Sequence, residues 1–346
     1  MKTLFTIINP GFFSTVQDEG RWGYQAYGMP VAGAIDRYAY NVANLLAGNQ
    51  PGAAAIEMTM LGGTFRFNDS RLVAICGADM QAALDGAVVP NWSAFTVPAG
   101  SELAFGYAVS GCRAYLAVQG GVDVPRVLNS RSTYTRAAVG GLQGRALLKD
   151  DVLNVGQDNE ADVTAQVLAA QYVPSYGENI SLRVLLGPQD DMFTADAIQT
   201  FFTGEYTISN EADRMGYRLE GPKITHVAKA DIVSDALCLG AIQVPAHGMP
   251  IIMLADRQTT GGYAKIGAVI SPDLTKLAQA KPGDRVRFQK IEDAEAVAAL
   301  REEREAYLSI RKSLQGNITT GNATAARLYN VTVNGAVYSV EIKEIS

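Results

Sequence analysis

The sequence predicts a mainly β protein with few helices, and three observations carry that reading. Apolar runs are short, rich in Val, Ile, Leu, Phe and Tyr, and bounded by Gly, Pro, Asp or Asn, as at residues 72–76, 114–118, 182–186 and 251–255; this is the punctuation of strands and turns. A Pro/Gly turn feeding an alternating strand occurs at 98–105 and again at 282–288, with a weaker case at 149–155. One such strand late in each half suggests two similar β-barrels. Helical periodicity, by contrast, is confined to a few stretches.

The first of these stretches is 36–47, where Asp36 can cap, Tyr40, Ala43, Leu46 and Ala47 line one face, and Gly48-Asn49 stops the helix. A shorter helix is expected at 273–280, after Pro272, and a third at 292–314, where Leu300, Tyr307, Ile310 and Leu314 form one apolar stripe. That last helix is read as packing on the body or on a partner. Residues 329–343 alternate around Asn334-Gly335, a β-hairpin signal. The chain has 346 residues, enough for two or three domains at ~100–200 residues each. A polar, alanine-rich and then Pro-containing stretch at 156–178 reads as a linker. The expected division is therefore 1–160, 180–290 and a 291–346 tail.

Charged residues at 18% and hydrophobic residues at 48% describe an ordinary globular chain and exclude disorder over most of the length. The net charge of −6 argues against nucleic acid as a partner, while a small anionic substrate needs only one or two local cations. Three cysteines without a C-x-x-C give neither a disulfide framework nor a zinc ribbon and fit a reducing cytosol. The N-terminal apolar stretch is broken by Asn9, Pro10 and Gly11, unlike a signal peptide. No run approaches the ~20 apolar residues of a membrane helix. A cytoplasmic protein with no membrane partner is expected. Two histidines, His226 and His247, are too few for a multi-histidine metal site, so no metal is expected. His247 is read mainly as a turn residue, with acid or base chemistry as the other option.

The common catalytic signatures, G-x-S-x-G, H-E-x-x-H and the phosphate-binding loop, are absent. What stands out instead is a set of glycine-flanked polar segments. Gln17, Asp18 and Arg21 fall within one turn between glycines, either as site residues or as a hydrogen-bonded structural loop. A second segment leads from Gly28 to Asp36 and into the first helix, which carries Asn44. A third runs through Arg131 and Arg136 to Gly140-Gly141 and Arg145, without an acidic run to neutralise it. The planar fork of arginine suits a carboxylate or phosphate, so an anion site is the preferred expectation there, with surface ion pairs as the alternative. The fourth group lies in the second half: Gln189, the segment 213–218 with Arg214, Gln243, and the segment Gln258, Thr259, Thr260, Gly261, Gly262, Tyr263. A glutamine amide can read an amide edge, and backbone amides at a Gly pair can close on an oxygen. Loops after strands gather at one end of a β scaffold, so the 256–262 loop is expected to share a pocket with Gln17, Asp18 and Arg131.

The segments TVQDEGRWGY, AIDRYAYNVANLLAGN, NSRSTYTRAAVGGLQGR, GPQDDMF, ADRMGYRL, IQVPAHGMPI and DRQTTGGY, in that order, resemble the allophanate hydrolase subunit 2, or biotin-dependent carboxyltransferase, family. The resemblance runs from about residue 3 to 288 and leaves the tail outside. It implies two cyclophilin-like β-barrel domains. Family members serve in ATP-dependent 5-oxoprolinase, which hydrolyses 5-oxo-L-proline to glutamate, and in urea carboxylase, where carboxyl is taken from carboxybiotin. A third expectation is a regulatory antagonist of a KipI-like partner. The first is preferred.

The resemblance therefore implies a heteromeric amidohydrolase, inactive alone. It would work with a B-type partner protein similar to allophanate hydrolase subunit 1 and with an A-type partner protein, on a small amide substrate. ATP would bind on a partner or at a shared interface. Biotin would enter only as carboxybiotin on another chain, because no Met-Lys-Met acceptor is present, although the hairpin resembles the one that precedes biotinyl domains. On this reading Asp18, Arg131, Arg214 and Gln258 carry the chemistry. Gln17, Arg21, Asn44, Arg136, Gln189, Gln243 and residues 259–263 hold substrate.

Overall fold

The computed structural model describes residues 4–156, 164–315, 327–333 and 336–342. Two antiparallel sheets form the N-terminal half. The first orders its strands Val122–Asp123, Val152–Val155, Leu4–Asn9, Thr64–Phe67, Glu102–Ala104, Ala83–Leu84 and Ala87–Val88; the second orders Gln166–Val167, Ser93–Val97, Arg71–Asp79, Ser110–Val118, Ala55–Thr59 and Phe13–Gln17. Phe5, Ile7, Phe65, Phe67 and Leu153 of the first sheet meet Val16, Ile56, Val73, Ile75 and Leu116 of the second in one core.

The strand Arg71–Asp79 is buried along almost its whole length because both of its faces are covered. Val73 and Ile75 face the core between the sheets, while Leu72, Ala74 and Cys76 pack against helix α1 (Arg37–Leu46). Asp36 caps α1 as expected, its Oδ1 accepting from Ala39 N at 3.0 Å.

The C-terminal half closes into a seven-stranded barrel, in the order Asn179–Leu186, Lys265–Val269, Ala241–Gln243, Ile251–Met253, Gly216–Glu220, Tyr206–Ile208 and Arg285–Lys290. A parallel pairing of Asn179–Leu186 with Arg285–Lys290 closes the ring. The barrel core is built on Leu182, Val184, Tyr206, Ile242, Ile252, Ile266 and Val286. Helix α2 (Ala195–Thr203) plugs it, with the Phe201 ring stacked 4.3 Å from that of Phe288. The mainly β expectation holds. The N-terminal half, however, is two facing sheets around one core, whereas only the C-terminal sheet closes on itself among the described residues.

Three details differ from the sequence reading. The stretch expected as a linker contributes the strand Gln166–Val167 to the second sheet, and Leu168 is buried beside α1. The helix expected at 273–280 is α3 (Leu274–Ala278), preceded by a 3-10 turn at Ser271–Asp273. Helix α4 (Asp293–Gln315) matches the predicted tail helix and packs on the body, as expected, touching both halves; it differs only in its stripe. Its Ala299 packs with Ile270 and Ile291, and its Ile310, fully buried, joins the cluster around α1. Leu300, expected on the buried stripe, is half exposed. The hairpin strands Arg327–Val333 and Ala336–Ile342 pair antiparallel, while the expected Asn334-Gly335 turn lies outside the described residues.

A buried polar network joins the two halves. Arg214 donates through Nε and Nη2 to both oxygens of Asp256 at 3.0 Å, through Nη1 to Glu57, and through Nη2 to the Gly33 carbonyl at 2.6 Å. Gln279 accepts from Cys112 N and Arg113 N and donates to Asp36 Oδ2 at 2.6 Å and to Arg113 O at 2.9 Å. Burial alone would raise the Glu57 carboxyl, but Arg214, Arg113, the Tyr115 hydroxyl and Ile35 N–H outweigh it and hold the group below its usual range.

Asp36 goes the other way: burial raises it to about 6, against the pull of its Ala39 and Gln279 hydrogen bonds. A raised carboxyl stabilises the fold fully below its unfolded value of about 3.9, and the stabilisation is lost as pH rises through about 6. The difference in unfolding free energy between wild type and Asp36→Asn is therefore expected to be about 2–3 kcal/mol larger at pH 4 than at pH 7.5. Urea denaturation of both proteins at the two pH values measures it, and a pH-independent difference would contradict the assignment.

Candidate active site

Asp18 and Arg21, expected to face a substrate, are buried supports for the loop at 127–144. Asp18 Oδ1 accepts from Gly20 N at 2.9 Å, Ser130 Oγ at 2.7 Å and Ser132 Oγ, and its Oδ2 accepts from Arg131 N. Arg21 donates through Nε to Val127 O at 3.0 Å and through Nη2 to Ser132 O. Gln17 Nε2 donates to Thr133 O at 3.2 Å. Gly140 is required here: its φ of +70° is left-handed, and a Cβ would lie 2.1 Å from Ser132 O. Loop residues Leu128, Asn129, Ala138 and Gln143 also take positive φ. Such backbone persists only when its surroundings fix it, and Asp18 and Arg21 fix the stretch 127–132.

The loop delivers Arg136, on the 3-10 turn Thr135–Ala137, to the barrel half. There its Nη2 donates to Asp213 Oδ2 at 3.0 Å, with both side chains about half exposed. Arg136 and Asp213 form one rim of a cleft of about 390 Å³, lined also by Gln243, His247, Gln258 and Tyr263. His247 Nδ1 accepts from Met249 N at 3.1 Å, so the neutral ring carries its proton on Nε2. The cleft thus gathers a cation, a carboxylate, amide groups and an imidazole. It can hold an anionic group and an amide edge together, and donate a proton.

The sequence-predicted residues divide accordingly. Arg136, Gln243, Gln258 and Tyr263 come together across the two halves. Gln17, Asp18 and Arg131 are not among the cleft lining, so the pocket expected to join them to the 256–262 loop is instead joined by Arg136. Arg131 donates to Val124 O and Asp123 Oδ1, each at 3.0 Å, and serves an ion pair. Arg214 spends four N–H contacts on Asp256, Glu57 and Gly33 and acts as an inter-domain tie. Asn44 binds Tyr40 O, Ala53 O and Asn49 at the end of α1. Gln189 accepts from Lys265 N at 3.3 Å.

Residues 260–263 form a strand rather than a loop, paired with Asp231–Ala236. A Cβ on Gly261 would lie 2.4 Å from Gln243 Nε2, whereas Gly262 meets nothing nearer than 3.8 Å. Gly261, and not Gly262, is thus the position of close approach. Glu57 and Gln279 escaped the sequence reading. A lone glutamate inside the apolar strand Ala55–Thr59 was the available signal for the first; nothing local marked the second.

Residues 27–290 match the family described as carboxyltransferase domain, subdomain A and B. The chain belongs to this family. Relatives of this carboxyltransferase-family chain fall into two groups. It is 36% identical over 306 residues to the C subunit of Escherichia coli 5-oxoprolinase, covering 88% of this chain and 96% of that protein. The corresponding figures for the C subunit of Haemophilus influenzae 5-oxoprolinase are 35% identity, 85% and 93%. Saccharomyces cerevisiae urea amidolyase is 33% identical over 91% of this chain, which spans only 18% of that longer protein. Among solved structures, Kluyveromyces lactis urea carboxylase superposes with a TM-score of 0.85 at 26% identity, covering 99% of this chain and 33% of that one. The chain is thus similar to a separate subunit in the first group and to part of a longer protein in the second.

Proposed function

We propose that this chain is the C-type component of a 5-oxoprolinase that opens 5-oxo-L-proline to L-glutamate together with partner subunits. The observation that carries the reading is the match to a separate subunit, which covers 88% of this chain and 96% of the E. coli relative. The cleft suits the substrate class. A small cyclic amide presents an N–H and C=O edge to Gln258, while its carboxylate meets Arg136. His247 Nε2–H can donate to an oxygen or leaving nitrogen beside it.

ATP would supply the phosphoryl group that turns the amide oxygen into a leaving group. The sequence contains no phosphate-binding loop, so ATP would bind on a partner or at a shared interface. The protein works in the cytoplasm and is inactive alone.

A second reading, the carboxyltransferase component of a biotin-dependent urea or amide carboxylase, is favoured by one observation: the K. lactis urea carboxylase similarity covers 99% of the chain and so takes in the tail. Reconstitution separates the two. The chain is co-expressed with candidate A-type and B-type partner proteins, and glutamate is measured from 5-oxoproline with ATP. Turnover by the complex and none by the chain alone is expected. Biotin-dependent urea carboxylation without glutamate release would replace the first reading by the second.

A further inference from the structure

A second cavity, of about 310 Å³, adjoins the cleft, and the two have Arg136, Asp213 and Met215 in common. It lies between the halves, with Phe12, Phe13, Thr59 and Arg113 on one side and residues 212–215 on the other. Strand register aligns three of these residues. Thr59 stands opposite Phe13 on one neighbouring strand and opposite Arg113 on the other, so the three side chains form a cross-strand row on one sheet face.

Two polar atoms in this row have no partner among the described residues: Thr59 Oγ1 and Arg113 Nε, both buried. Arg113 is 4% exposed, and its Nη1 donates to Tyr217 Oη and Ala278 O, each at 2.6 Å. Neither of these partners is a carboxylate. Glu57 balances the charge of Arg113 from nearby, but a buried Nε–H without an acceptor is costly, and the Thr59 hydroxyl on the neighbouring strand adds a second donor. Asp213 and Asp256 also line the cavity but are already paired with Arg136 and Arg214, so the two unpartnered donors on one sheet face favour the oxygens of an incoming anion. Phe12, Phe13 and Met215 supply the apolar walls that a small ring would fill.

We propose that this inner cavity is the carboxylate subsite of the substrate cleft, in which Thr59, Arg113 and Arg136 hold the carboxylate of a small cyclic amide while its amide edge faces Gln258. The assignment rests on the proposed function for the identity of the ring, but not for the anion. Thr59 and Arg113 are then binding residues that set specificity for acidic over neutral amides.

The test is calorimetric titration of the reconstituted complex without ATP, using 5-oxoproline, glutarate, 2-pyrrolidinone and urea as probes, with wild type, Thr59→Val and Arg113→Lys. Thr59→Val keeps the shape of the side chain and removes only the hydroxyl. Expected are binding of 5-oxoproline and glutarate to wild type, about tenfold weaker binding in Thr59→Val, and no change for 2-pyrrolidinone. Arg113→Lys retains the charge and should lose more. Carboxylate binding that is equal in wild type and Thr59→Val, or the absence of any carboxylate binding, overturns the subsite and leaves the cavity as a solvent pocket. Thr59-dependent glutarate binding in a complex that releases no glutamate keeps the subsite and removes the hydrolase reading. Glutamate release with a KM unaffected by Thr59→Val does the reverse.

Discussion

Arg214→Met is expected to lower the unfolding free energy by about 3–5 kcal/mol, because it strips the counter-ion from two buried carboxylates at once. Glu57 is 1% exposed and Asp256 4%, so water cannot take over the solvation that the guanidinium supplies. The methionine keeps the aliphatic contacts, so the loss reads the charge. Since Glu57 belongs to the N-terminal sheets and Asp256 to the barrel half, the two halves should also separate in urea, giving two transitions where wild type gives one. Denaturation followed by fluorescence and by hydrogen exchange at the Ala55–Thr59 strand measures both. A variant with wild-type stability but no turnover in the complex would instead return Arg214 to a direct chemical role.

Asp18→Ala comes next in size, at about 2–4 kcal/mol. The carboxylate organises two segments that lie more than a hundred residues apart in sequence, and its removal leaves the Ser130 and Ser132 hydroxyls and the Arg131 amide without their acceptor. The consequence for function is indirect. The 127–144 loop loses its anchor, Arg136 no longer sits at the rim of the cleft, and KM rises. Faster amide exchange at 130–133 with a raised KM is the expected pair of results. Unchanged exchange together with a collapse of kcat would make Asp18 a participant in the reaction.

These two residues also mark how far the sequence could be read. The strand punctuation, the α1 cap at Asp36 and the amphipathic α4 are local signals, and local periodicity was enough to find them. The polar segments were legible as special, because glycine-flanked polar clusters are conspicuous. Their roles were not legible, because a buried aspartate that ties loops and one that handles protons have the same neighbours in sequence. Only the fold reveals that Ser130 and Ser132 consume the Asp18 oxygens, and that Arg131 turns to Asp123 while Arg136, five residues on, reaches the barrel half. Closed versus facing sheets was likewise undecidable, since both need the same alternating strands. Glu57 and Gln279 act across the halves, and no window of sequence contains their partners.

The central claim is that the inter-domain cleft rimmed by Arg136 is where substrate binds. Its most direct measurement is the steady-state rate of glutamate release from 5-oxoproline by the reconstituted complex carrying Arg136→Met. Arg136 is 54% exposed and its pair with Asp213 is a surface one, worth about 0–1 kcal/mol of stability, so folding and assembly should survive. A fall in kcat/KM of at least about tenfold is expected, carried mainly by KM, with an unchanged melting temperature. Wild-type kinetics from the Arg136→Met complex would contradict it and place the substrate elsewhere.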